Sequence, residues 1–174
     1  ANGLEVLMAT ASALKRRGVN NIKIVLIGQG KLKASLQRTA ANDSLDNVIF
    51  HHPVDKKKLS GLMKSADLGL QILANVPAFY YGTSPNKFFD YIAAGLPVLN
   101  NYPGWLAGMI KENKCGYAVE PENQELIADA LVDAANDKDN LRVMGENARK
   151  LAENSFSRKE LATVWVDWVT THNE

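Results

Sequence analysis

The feature that most constrains this chain is an alternation. Short aliphatic and β-branched runs are separated by longer stretches in which apolar residues recur at helical spacing. The clearest run is Ile22-Lys23-Ile24-Val25-Leu26-Ile27, which ends at Gly28. Runs of this kind suit strands buried on both faces. Shorter ones follow at residues 48–50, 68–73, 97–99 and 117–119. Helical patterns fill the gaps. Leu4, Leu7, Met8, Ala11 and Leu14 share one face, with Asn2 as the expected N-cap and Gly18 as the stop. Helices are predicted over residues 31–42, 55–65, 84–94, 105–114, 122–135, 138–154 and 158–171. Strand–helix alternation specifies an α/β fold: an open parallel sheet with helices on both faces, Rossmann-like, ending in helices. No linker interrupts the pattern, so residues 1–174 are read as one domain.

Composition excludes several classes. Twenty Lys and Arg against nineteen Asp and Glu give no electrostatic footprint for nucleic acid. Lys56-Lys57-Lys58 is the one basic cluster. It reads as a solvated first helical turn, with attraction to membrane headgroups as the other reading. The single cysteine, Cys115, leaves no internal disulfide and fits a reducing, cytoplasmic compartment. No run is long and apolar enough for a membrane span, and no signal peptide is evident. The chain opens directly on a helix start, as expected of a segment of a longer protein.

In open parallel sheets the ligand lies beyond the carboxyl ends of the strands. The loops that matter therefore begin at Gly28, His51, Ala74 and Asn100. The third carries Pro77, Phe79, Tyr80 and Tyr81 and leads into Ser84-Pro85-Asn86-Lys87. That is a helix-start signal, with Ser84 as N-cap and Pro85 at the first helical position. Free amides of a first helical turn suit a phosphate. Lys87, placed at the third helical position, is mildly unfavourable for the helix dipole unless an anion sits there. Asp90 follows on the same face, roughly 4.5 Å further along the axis. A diphosphate at the tip and a ribose diol on the carboxylate fit this layout. An ordinary i,i+3 surface ion pair between Lys87 and Asp90 fits the spacing too.

Weaker signals surround this one. Gly28-Gln29-Gly30 is either a tight turn or a place where a ligand approaches backbone. His51 and His52 are adjacent, would face opposite sides of a strand, and lack a spaced partner for a metal site. No metal or cofactor is expected.

The segment Thr83-Ser84-Pro85-Asn86-Lys87-Phe88-Phe89-Asp90-Tyr91-Ile92-Ala93-Ala94-Gly95-Leu96-Pro97-Val98 resembles the signature of retaining GT-B glycosyltransferases of family 4. It is most similar to bacterial enzymes of O-antigen, capsule and exopolysaccharide assembly. Asn2-Gly3-Leu4, residues 24–30 and Ala66-Asp67-Leu68-Gly69-Leu70 agree in order and spacing. The resemblance implies the nucleotide-sugar-binding C-terminal half of a two-domain enzyme. It places Asp90 on ribose hydroxyls, as the second acid of an E-x7-E motif. Gly82, Thr83 and Ser84, with Pro85, Asn86 and Lys87 at the helix tip, meet the diphosphate or sugar. Lys87 is assigned the catalytic role of neutralising the departing diphosphate. Pro53 and Val54 fall where backbone contacts the base, and Gly28 and Gly30 line the same cleft.

The donor implied is a nucleotide-sugar, expected to be UDP-linked. The acceptor, a glycan or a lipid-linked glycan, is expected on an N-terminal domain outside this chain. So are a first strand and glycine loop ahead of Asn2. Peripheral association with the inner membrane face is the expectation for the whole enzyme, and this fragment alone is expected to be inactive. Two positions depart from the family pattern. Gly82 stands where the first acid of E-x7-E belongs, and Asn2 stands where a basic residue precedes the first helix; Lys87 is the candidate substitute for the latter. The apolar face Val164, Trp165, Trp168 and Val169 reads either as a contact with the other domain or as ordinary core packing. The alternatives to a transferase are a UDP-sugar 2-epimerase, whose carboxylates and His have no evident counterparts here, and a non-catalytic flavodoxin-like nucleotide-binding module.

Overall fold

The computed structural model describes residues 3–171. In chain order the elements are α1 (Leu4–Arg16), β1 (Ile24–Ile27), α2 (Lys33–Asn42), β2 (Val48–His51), α3 (Lys56–Met63) and β3 (Gly69–Gln71). A single 3-10 turn (Pro77–Phe79) then precedes α4 (Asn86–Ala93), β4 (Val98–Asn100), α5 (Trp105–Glu112) and β5 (Gly116–Ala118). Three helices end the chain: α6 (Gln124–Asn136), α7 (Lys138–Ser155) and α8 (Arg158–Thr171). Every strand pair is parallel. The expected N-cap Asn2 lies outside the described residues, and α1 is preceded by Gly3 in a left-handed conformation.

The strands form two ladders rather than one. β1 pairs with β2, and β3, β4 and β5 pair in that order. Both ladders run the same way, as α1 shows. Its start lies against the carboxyl end of β3, where a Cβ on Gly3 would come within 2.5 Å of the Ala74 nitrogen. Its last turn lies at the amino end of β2, where Lys15 Nζ donates to the carbonyls of Asp43 and Ser44. Midway, the buried Asn47 amide donates to the Ala11 carbonyl at 2.9 Å.

Alternation along β4 assigns the two faces. Leu99 joins a core made with α1, α2 and α6, around Leu7, Leu14, Leu36 and Ile127. Val98 joins a second core made with α4, α5 and α7, around Phe88, Ile92, Leu106 and Ala148. Helices thus cover both faces of this ladder, as the alternation predicted.

β1 departs from expectation. Ile24 is buried, yet Val25 and Ile27 are 49% and 37% exposed. The strand is covered on one face only, because α1 and α2 pack there while α3, on the return to β3, buries none of its residues. Lys56, Lys57 and Lys58 are indeed the exposed first turn of α3, capped by Asp55. No residue of α8 is buried, and Val164 and Trp165 of its apolar face are 64% and 63% exposed.

Candidate functional site

The carboxyl ends of the strands carry the loops named by the sequence, and hydrogen bonds gather them into two groups. The first joins β1 to β2. The Gly28 N–H reaches the His51 carbonyl at 3.4 Å. Lys33, the first residue of α2, donates from Nζ to the carbonyls of both Gly28 and His51, each at 2.9 Å. Gly28 is half-buried; Gly30 and Pro53 are exposed. Val54 is half-buried and shares a recess of about 440 Å3 with His51, Lys58, Gly61 and Leu62. A second recess of about 410 Å3, bounded by Asp67, Pro97 and Arg142, lies at the opposite, amino ends of β3 and β4. It belongs to no expected site residue.

The second group joins the loop after β3 to the loop after β4. The Asn101 side chain exchanges two hydrogen bonds with the Leu73 backbone, at 2.8 and 2.9 Å, and so extends the ladder with an amide in place of a peptide. Tyr80 stacks on Tyr102 at 6.2 Å. Gly104 lies directly under the Tyr80 carbonyl at a φ of +110°, where a Cβ would approach that oxygen to 2.5 Å. Trp105 Nε1 donates to the Thr83 carbonyl at 3.1 Å, and the Thr83 hydroxyl donates to the Phe79 carbonyl. The stretch 80–83 is therefore held from both sides. None of Lys33, Tyr80, Gly104 or Trp105 was singled out from the sequence as a support. The legible signals were a Lys opening a helix that has no first-turn acid, and a Gly-Trp pair directly after a strand.

Ser84 does not cap α4. The helix begins at Asn86, and Pro85 occupies the cap position with extended backbone. Proline restricts its predecessor to extended conformations, and the tethered Thr83 keeps the approach stretched. The Pro85 carbonyl accepts the first helical bond, from Phe88 N–H at 3.0 Å. This leaves the N–H groups of Asn86 and Lys87 ahead of the first rung, free for an external acceptor. Lys87 thus stands at the second helical position rather than the third.

α4 is firmly seated. Phe88 and Ile92 are fully buried. Phe89 packs on Phe156 and Trp105. Tyr91 lies so close to Gly69 of β3 that a Cβ there would meet its ring at 2.5 Å. At the far end Arg149 of α7 donates to the Ala93 carbonyl.

On this seat Ser84, Asn86 and Asp90 are exposed, Thr83 and Lys87 half-buried. Among the described residues the ion pairs are those of Arg16, Arg17, Lys138, Arg142 and Arg149; Lys87 and Asp90 form none. The surface ion pair that the spacing allowed is therefore not made. Burial holds the Lys87 ammonium below its ordinary pKa. A cation partly withdrawn from water and without a carboxylate partner, on a helical turn with two free amides, has the chemistry to accept an anion. Gly82 is exposed, and no atom lies within 4 Å of where its Cβ would stand.

Residues 1–151 match the family described as Glycosyl transferases group 1. The chain belongs to this family. A GDP-mannose-dependent alpha-(1-6)-phosphatidylinositol monomannoside mannosyltransferase of Mycobacterium tuberculosis is 24% identical over 174 residues, covering 96% of this chain and 44% of that protein. WaaG, a glycosyltransferase involved in lipopolysaccharide biosynthesis, superposes with a TM-score of 0.73 at 25% identity, over 89% of this chain and 40% of WaaG. Anabaena HepE, solved with UDP-glucose, has the same fold at a TM-score of 0.79 and 15% identity, over 98% of this chain and 45% of HepE. The chain thus spans less than half the length of these proteins. In this member of the family, the segment that carried the resemblance is α4 with the loop before it. No helix among the described residues is long and apolar enough to cross a membrane.

Proposed function

We propose that this chain is the donor-binding domain of a retaining, metal-independent glycosyltransferase that moves a sugar from a UDP-linked donor to a glycan or lipid-linked acceptor. The observation that carries this reading is Lys87: a half-buried ammonium with no carboxylate partner, at the tip of a rigidly seated helix. On this reading the donor diphosphate sits on the amides of Asn86 and Lys87, with the Lys87 ammonium beside it. Asp90 takes the ribose hydroxyls, and Val54 with Pro53 meets the base. Gly28 and Gly30 let the nucleotide approach backbone.

The chemistry assigned to α4 is electrostatic. When the bond between the sugar anomeric carbon and the diphosphate oxygen breaks, negative charge grows on the leaving diphosphate. Fixed amides and a cation in a partly dry site stabilise that charge without reorganising. The helix N-terminus contributes about 0.3–1 kcal/mol per charge at exposed sites, and the ammonium adds a full charge to it. The acceptor is assigned to a part of the protein outside this chain. The exposed Val164 and Trp165 of α8 supply an apolar face for docking to it. Lipid-linked acceptors would bring the whole enzyme to the inner face of the membrane.

A binding panel of UDP, GDP, ADP and NAD on the full-length protein tests the reading. Preference for UDP that falls at least tenfold in Asp90→Ala supports it. Preference for GDP, the nucleotide in the mycobacterial relative's name, keeps the transferase and changes the donor. Preference for NAD overturns it.

A further inference from the structure

A positively charged residue opens α2, where the helix dipole disfavours it. Lys33 is half-buried and has no carboxylate partner; its ammonium is spent on two backbone carbonyls, Gly28 O and His51 O, at 2.9 Å each. His51 ends β2, and Gly28 directly follows the end of its parallel neighbour β1. The ladder between them is weak at that point, because the last rung, from Gly28 N–H to His51 O, is 3.4 Å long and near the limit of a hydrogen bond. Among the described residues no other loop or side-chain hydrogen bond joins the two loops. The Lys33 ammonium therefore reinforces a long rung with two charge-assisted bonds, which are stronger than neutral ones.

We infer that Lys33 is a positioning residue that fixes the spacing between the Gly28–Gly30 turn and the His51–Val54 loop, and through it the width of the slot that holds the nucleoside end of the donor. This rests on the donor reading above. Both loops carry residues assigned to the nucleotide, and the recess beside Val54 is bounded by His51 itself. Lys33 acts on the ligand through backbone, not by touching it. Its removal should therefore weaken recognition of the nucleoside while leaving the diphosphate contacts at α4 alone.

The experiment compares Lys33→Met, Lys33→Gln and Lys33→Arg with the parent full-length protein. In the ligand-free state, amide exchange at residues 28–30, 51, 52 and 54 should quicken about tenfold in Lys33→Met and Lys33→Gln, stay near the parent rate in Lys33→Arg, and be unchanged at residues 82–84, 86 and 87. Affinity for uridine and for UDP should fall by the same factor, about five- to tenfold. Affinity for inorganic pyrophosphate, and the salt dependence of UDP binding, should not move. A loss confined to the phosphate-bearing ligands, with a shallower salt dependence, would mean that Lys33 contacts phosphate and would overturn the inference. So would unchanged amide exchange in both neutral variants. If the parent binds no nucleotide at all, the donor reading fails and takes the nucleoside assignment with it, while the exchange rates still decide whether the clamp exists.

Discussion

The indole Nε1 of Trp105 donates to the carbonyl of Thr83 at 3.1 Å, linking the start of α5 to the loop that leads into α4. The same indole ring stacks on Phe89 and meets the edge of Phe88, both on α4. One side chain thus fixes a helix and the loop before it in a common frame. Trp105→Phe keeps most of the ring contact and removes the hydrogen bond. A neutral hydrogen bond is worth about 0.5–1.5 kcal/mol. Nucleotide affinity should fall about three- to tenfold with only a small change in thermal midpoint. Trp105→Ala, which also empties the aromatic cluster, should cost about 3 kcal/mol or more in stability. Calorimetric titration beside thermal melts separates the two effects.

Lys87 should trade stability for binding. Burial lowers its pKa from the ordinary 10.5, so the folded state holds this proton less tightly than the unfolded chain. The burial penalty is fully present below the lowered pKa. Stability then rises with pH between that value and 10.5, where the unfolded state binds more protons. Lys87→Met should abolish this rise and melt no lower than the parent at neutral pH, while UDP affinity falls about 10- to 100-fold. A bound diphosphate acts in the opposite direction and raises the pKa of Lys87. In the parent protein, affinity should therefore decline as pH climbs through the free-state value, and the Met variant should lack that decline. A Met variant with undiminished affinity would remove Lys87 from the site.

Gly69 sets the seat of α4. A methyl group there would stand 2.5 Å from the Tyr91 ring, so Gly69→Ala must push the ring, and α4 with it, away from β3. Overpacking of this kind costs about 1–3 kcal/mol. At this chain length that is a fall of about 3–10 °C in thermal midpoint. Combining Gly69→Ala with Tyr91→Leu should recover part of the loss, because the two side chains share one space. Strict additivity of the two substitutions would sink the argument.

Residues 84–98 show where the sequence was legible and where it was not. The helix, its buried face at Phe88 and Ile92, and its stop at Gly95 follow from local spacing, which one segment contains. The helix start does not. Ser84-Pro85 reads as cap and first turn by composition, but Trp105 and Phe79 hold Thr83 from outside the segment and keep Pro85 extended. Lys87 and Asp90 pose the same difficulty. Spacing permits an ion pair, whereas side-chain placement depends on what surrounds the first turn. For β1, an unbroken apolar run implied two covered faces; whether helices reach both is a property of topology, and only one face is reached. For Lys33 the charge opening an acid-free first turn was legible, but its role was not, because its partners are carbonyls, which every residue carries.

Gly82 is the departure from the family pattern with the clearest structural consequence. The position is exposed, its backbone is outside the left-handed region, and no atom lies within 4 Å of an added Cβ. A side chain therefore fits without strain. Gly82→Glu should change stability by no more than about 0.5 kcal/mol, the range of ordinary surface substitutions. It would place a carboxylate eight residues before Asp90, restoring the E-x7-E spacing. If Gly82 leaves the sugar end of the donor unrecognised by a side chain, the new carboxylate should alter selectivity among UDP-sugars while leaving UDP itself bound about as well as before. The charge is also close to the diphosphate assigned to Lys87, which argues for a modest general loss of at most about threefold, about 0.7 kcal/mol by the tenfold-per-1.4 kcal/mol rule. Competition titrations with a series of UDP-hexoses against UDP separate these terms. Equal changes for every sugar and for UDP alone would show that the position faces the phosphates rather than the sugar, and the sugar contacts would then have to come from elsewhere on the 80–85 loop.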